Sequence, residues 1–258
     1  MGLDIYAGKL TRYYSSNWKN LVQLLAEEHG QNCVMRDASG NEMKPVEDQA
    51  EIENIRDIVS HWADTLAVSI KPPLTPPLWD EKSDCGYFTD KPDWVAFGAL
   101  VMLQACIELK KPLPEFVRNG WNAYDEPIVK QAMEQRIPNS LLMGTTLWLP
   151  IPNEAIFITK LPTGNEGRIS TVSLLKYELE DLNKQLWNAD EDTILSWRND
   201  KFYVPVNRKT PKPFLGFIQQ FKKKDRFSTE ELAKCAYSML YQAVKFATEN
   251  QCPIVLDY

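Results

Sequence analysis

Glycine is scarce in this chain, with eleven residues in 258, and histidine scarcer, with two. No G-x-G-x-x-G, Walker A, G-x-S-x-G or H-E-x-x-H pattern occurs. Dinucleotide binding, phosphate cradling, a nucleophile elbow and zincin chemistry are therefore without support. The five cysteines, Cys33, Cys85, Cys106, Cys235 and Cys252, are widely spaced and form no C-x-x-C. That pattern argues against a zinc knuckle or a thioredoxin-type pair. Free thiols are expected, as in a reducing compartment. No basic segment followed by an apolar run opens the chain, so no secretory signal is expected. The longest apolar stretch, residues 94–107, is broken by Gly98 and Gln104 and is too short for a bilayer. A cytoplasmic protein with no membrane partner, no cofactor and no metal is expected.

What is present is ordinary globular composition: 44% apolar and 25% charged residues, with eight Trp, ten Tyr and ten Phe to fill a core. The net charge is −6, but residues 198–226 hold nine Lys or Arg against Asp200 and Asp225. That stretch carries +7, so the remainder carries −13. A local positive patch on an acidic protein suits an acidic partner or nucleic acid. The docking residues would be Arg208, Lys209, Lys212, Lys222, Lys223, Lys224 and Arg226. Phe202, Val204 and Val206 alternate as in a strand, and Phe214, Phe217, Ile218 and Phe221 repeat at helical spacing. On that reading the aromatics belong to the core and the cations form a solvated face. An acidic protein partner and single-stranded nucleic acid are the two functional readings. The surrounding negative charge favours the protein.

Periodicity predicts an α+β fold with an antiparallel sheet packed by several helices. Leu3, Ile5 and Ala7 alternate with polar residues and predict a half-buried strand continuing towards Tyr14, with Asp4 and Tyr6 on its polar face. Ser15, Ser16 and Asn17 offer caps to a helix that His29 and Gly30 end. A second helix is expected over 46–70, stopped by the proline-rich 72–77 segment. A third, at 92–110, is apolar nearly all round and so central, with Asp90 as its cap. Shorter helices are expected near 114–119 and 126–136. Residues 141–149, 155–161 and 168–173 predict a meander, its second turn at 163–167. Helices at 173–187 and 190–197 follow. A last helix opens with the Ser228/Glu231 capping box, and a strand at 253–256 closes the chain. The whole chain, 1–258, reads as one α+β domain, with a helical lobe (15–140) and a sheet lobe (141–258) divided near the prolines.

Two clusters compete with the basic stretch for chemistry. The segment from Trp79 to Trp94 carries Asp80, Glu81, Asp84, Tyr87, Asp90 and Asp93. Two carboxylates at the right separation could serve as acid and base in a hydrolase, with Asp80, Asp84, Asp90, Asp93, Tyr87 and His61 as its residues. The plainer reading is a surface loop whose acids cap the third helix. His61 lies between Asp57 and Asp64 on one helix face, which suits an exposed ion pair.

The opening MGLDIYAG, Met1 to Gly8, followed by Asn17-Trp18, resembles a loose group of uncharacterised bacterial and phage-associated proteins beginning MGLD-I/M-Y. The resemblance covers the first 20 residues. It implies a bacterial or mobile-element accessory protein and transfers no site residue.

Overall fold

The computed structural model describes residues 3–35, 42–118, 120–199 and 226–257. The architecture is α+β, with eight α-helices among those residues, a six-stranded sheet and a two-stranded one. The chain falls into two compact units that interleave in sequence. The first takes Met1–Lys91, Thr145–Lys176 and Ala243–Tyr258; the second takes Pro92–Gly144 and Tyr177–Gln242. Each unit draws on both sides of residue 140, so their boundaries cross the expected lobes 15–140 and 141–258.

The first unit holds the large sheet. Its strands are β1 (Asp4–Gly8), β2 (Tyr87–Asp90), β4 (Leu147–Leu149), β5 (Phe157–Lys160), β6 (Glu166–Thr171) and β8 (Ile254–Asp257), in the order β2-β1-β8-β4-β6-β5. Four of the five pairings are antiparallel, and β4 with β6 is parallel. The terminal strands join the middle ones as expected, and the loop at 163–167 makes the β5–β6 turn with Gly164 at φ +86. Strict meander order fails at one step. Pro150 and Pro152 follow β4 and cannot donate to a tight hairpin ladder. The chain instead passes to the edge, forms β5, and returns as β6 between β5 and β4.

β1 is buried along its whole length, not half-buried. As an interior strand it has covered faces on both sides. Asp4 is accommodated by Lys91 Nζ at 2.7 Å and Asn20 Nδ2 at 3.3 Å, and the Tyr6 hydroxyl donates to the Lys9 carbonyl at 2.8 Å. The strand also ends early. Residues Leu10–Tyr14 form a helical turn, α1, because the buried Glu81 carboxylate accepts the N–H groups of Leu10 (3.1 Å) and Thr11 (2.9 Å). The next helix, α2 (Leu21–Glu28), starts at Asn20 and not at 15–17, since Asn20 and Gln23 complete a reciprocal capping box. Helix α3 (Gln49–Ser69), capped by Asp48, places Val59, Ala63 and Leu66 in a core shared with Tyr6, Leu10, Trp79, Leu147, Ile169 and Val255.

The second unit is organised around α4 (Trp94–Glu108), eleven of whose fifteen residues are buried, as its all-round apolar pattern requires. Its cap is Asp93, whose Oδ1 accepts the Val95 N–H at 2.5 Å; Asp90 belongs to β2. Where a helix was expected near 114–119, β3 (Phe116–Arg118) pairs antiparallel with β7 (Arg226–Ser228). Val117 is buried between exposed Phe116 and Arg118, so the period of two prevails over the apolar count. Helix α5 (Pro127–Glu134) follows. Helix α6 (Val172–Leu186) contributes to both units, and α7 (Glu191–Ser196) is capped by Asp190. Helix α8 (Thr229–Asn250) starts where Ser228 Oγ accepts the Glu231 N–H at 3.3 Å. No described helix is long and apolar enough to cross a membrane.

Candidate functional site

The acidic segment proposed for hydrolysis is spent on local structure. Asp80 is exposed and accepts the N–H groups of Lys82 (2.8 Å) and Ser83 (3.2 Å), which hold its carboxyl below the usual range. Asp84 accepts the Gly86 N–H at 2.9 Å and pairs with Arg12 at 2.8 Å, which lowers it similarly. Asp90 is fully buried at the end of β2, where Oδ1 accepts the Lys91 N–H at 2.8 Å. Asp93 caps α4. The Tyr87 hydroxyl accepts the Lys19 N–H at 3.0 Å, and its ring stacks on Tyr6 under the Arg12 guanidinium. His61 is exposed on α3. Each acid thus answers a backbone donor, a cap or a cation of its own. Among the described residues, no three His, Cys, Asp or Glu side chains come together to hold a metal ion.

Of the docking residues, Arg208, Lys209, Lys212, Lys222, Lys223 and Lys224 lie outside the described residues, as do the strand and helix expected at 202–206 and 214–221. Arg226 opens β7, paired with Arg118. The flanks of the stretch are informative. On the near side, Trp197 meets Trp187 at a centroid distance of 4.9 Å and Tyr237 at 5.7 Å. Lys234 Nζ lies 5.6 Å from the Trp197 ring centre and 5.7 Å from that of Trp187, and its ammonium pairs with Glu230 at 2.7 Å. Cation–π contact and edge-to-face rings hold this turn. On the far side, the β3–β7 ladder and the buried Phe227 fix the chain. Both flanks belong to the second unit.

The first unit carries a surface pocket of about 410 Å³. Tyr13 and Tyr14 from α1, Thr146 and Leu147 beside β4, Leu161, Thr163 and Asn165 from the β5–β6 turn, and Val255, Leu256 and Asp257 from β8 line it. The Leu256 N–H donates to the Thr146 carbonyl at 2.8 Å and so fixes one wall. Burial raises the Tyr13 phenol, and Asp257, which accepts its hydrogen bond, raises it further. Tyr14 is pushed up to about 12, by burial first and by Asp257 next. Both phenols therefore stay protonated at neutral pH. Sequence reasoning had no handle on this pocket, because its walls come from four separate segments. The buried Glu81 is a different case: it was visible among its acidic neighbours, but nothing local distinguished it.

Compared with family models, with curated proteins and with solved structures, the chain matches none.

Proposed function

We propose that this chain is an interaction protein that docks an acidic protein partner through residues 198–226, with Arg208, Lys209, Lys212, Lys222, Lys223, Lys224 and Arg226 supplying the charge. The observation that carries this reading is the concentration of nine cations and two acids in one stretch of a chain otherwise at −13. Two features support it. The stretch leaves and re-enters one unit at anchored points, the Trp197 cluster and the β3–β7 ladder. The acids of 80–93 serve structure, which favours recognition over hydrolysis. Dense like charge on one partner speeds encounter with an oppositely charged surface and repels its own sign, and the −13 elsewhere disfavours a long polyanion.

The test is capture of partners from the native host by the tagged full chain, at low and high salt, with Lys222→Glu, Lys223→Glu and Lys224→Glu combined. An acidic protein retained at low salt, released at high salt and lost in the triple variant is the expected result. Capture indifferent to both salt and charge reversal removes this face from the reading. A gel shift of a single-stranded oligonucleotide at moderate salt would replace the protein partner with nucleic acid.

The pocket favours a second reading, a site for a small organic amine. One carboxylate, Asp257, and two phenols line it together with the aliphatic Leu147, Leu161 and Val255. Such a lining suits a cation with an apolar body. Choline titrated into the protein should perturb Tyr13 and Tyr14 resonances, and Asp257→Asn should abolish the response. An unchanged spectrum discards this reading.

A further inference from the structure

Two of the five cysteines meet in the fold although 166 residues separate them in sequence. Cys85 lies two residues before β2 and Cys252 two residues before β8. Both strands run antiparallel to β1, with Gly8 opposite Tyr87 and Ala7 opposite Ile254. Each therefore enters the sheet at the end where β1 leaves it. The Gly8 N–H donates to the Pro253 carbonyl at 3.0 Å, which fixes the approach to β8. Beyond Gly8 the chain turns away into α1 and does not continue as a strand between its neighbours. At that end of the sheet the Cys252 and Cys85 side chains come within interaction range of each other. The Cys85 thiol in turn donates to the Gly86 carbonyl at 3.6 Å. Cys106, in the second unit, donates to the Pro112 carbonyl.

We propose that Cys85 and Cys252 form a redox modification site, closing to a disulfide under hydroperoxides and reopening under dithiols. Cys85 is the attacking group because it is partly exposed, whereas Cys252 is fully buried. The Cys85 thiolate attacks one oxygen of the peroxide. The O–O bond breaks, an S–O bond forms, and hydroxide leaves and becomes water on taking a proton. The sulfenic acid on Cys85 is then attacked by the Cys252 sulfur; the S–S bond forms, the S–O bond breaks, and a second water leaves with the Cys252 proton. Two thiols lose two electrons and two protons, and one hydrogen peroxide becomes two waters. Burial pushes the Cys252 thiol up to about 12 and the Lys9 ammonium pulls only partly against it, so Cys252 attacks as a thiol and gives up its proton as the S–S bond forms. The nearness of the two side chains already sets Cys252 beside the atom it must attack. A resolving thiol so close intercepts the sulfenic acid before it is oxidised further.

The test treats the folded full chain with a small excess of hydrogen peroxide, then unfolds and alkylates it for intact-mass and peptide mapping. The expected result is loss of two of the five alkylatable thiols, a mass lower by two hydrogens, one cross-linked peptide pair containing Cys85 and Cys252, and full recovery with dithiothreitol. In Cys252→Ser, Cys85 should accumulate as sulfenic acid that dimedone captures; in Cys85→Ser, Cys252 should stay reduced. Sulfinic acid on Cys85 with Cys252 still alkylatable, a cross-link to another cysteine, or no loss of thiols overturns the proposal. The overturning outcomes are read on the wild-type chain, so a variant that fails to fold does not blur them.

Discussion

Ser140 gives both of its donors to one carboxyl group: its N–H reaches Glu178 Oε1 at 2.6 Å, and its hydroxyl meets Oε2. Ser140 is fully buried and Glu178 nearly so. Burial pushes the Glu178 carboxyl up to about 7; the two Ser140 bonds pull against that, and Glu108 adds to it. Burial outweighs the hydrogen bonds because they replace only part of the lost hydration.

The sign of the resulting pH dependence is fixed. Between the unfolded value of 4.5 and the folded value of about 7, the native state holds a proton that the unfolded state has released. This group's contribution to stability is therefore fullest below pH 4.5 and is lost as pH rises through 7, a change of about 3 kcal/mol. Glu178→Gln, neutral at every pH and able to bond both Ser140 groups, should remove this loss. Urea midpoints at mildly acid and mildly alkaline pH should fall with pH in the wild type more steeply than in the variant. Equal slopes would show that Glu178 is not the titrating group.

Glu81 accepts three N–H groups, from Leu10, Thr11 and Trp79 Nε1, the last at 2.5 Å. Glu81→Ala leaves all three without this acceptor, a cost of about 3 kcal/mol or more. Glu81→Gln should lie between, because its amide nitrogen would face the Thr11 N–H, donor against donor. Denaturant unfolding of the three proteins should rank them in that order.

Gly8→Ala tests close approach. A Cβ there would lie 2.5 Å from the Tyr6 hydroxyl and 3.0 Å from Tyr87 Cβ. Tyr6 is fully buried and bonded to the Lys9 carbonyl, so its ring cannot swing aside. We expect a loss of roughly 2 kcal/mol, from overpacking in a filled core. Tyr6→Phe in the same chain should recover part of it, since the nearest clashing atom is gone. A double-mutant cycle with no coupling would contradict the assigned contact.

Asp84→Ala provides the contrast. Its side chain is 76% exposed, so the Arg12 pair is screened by water and salt. The change in stability should be small and shrink further in high salt. A larger loss by thermal unfolding would mean that the Gly86 turn depends on this acid.

How far the sequence could be read depended on whether a signal was local. Helix α4 was legible because an all-round apolar run has one stable place, the interior. The end of α2 was legible too: His29 caps it and Gly30 takes φ +66. Errors arose where a distant residue decided. Leu10–Tyr14 turns helical because of Glu81, some 70 residues away. Phe116–Arg118 is a strand because β7 lies alongside it. The same limit hid the pocket and the Cys85–Cys252 contact, whose parts have no common sequence neighbourhood. The basic stretch was legible as charge, which needs no geometry to count.

Strand β8 lies between β1 and β4 and is the link that makes six strands one sheet. It is also the last of the described strands to leave a ribosome. Until residues 254–257 emerge, β1 with β2 and β4 with β5 and β6 have no ladder joining them, and each presents an open backbone edge. Synthesis therefore imposes a waiting period on the nascent chain, when a chaperone has most to shield and strand-to-strand misassociation is most probable.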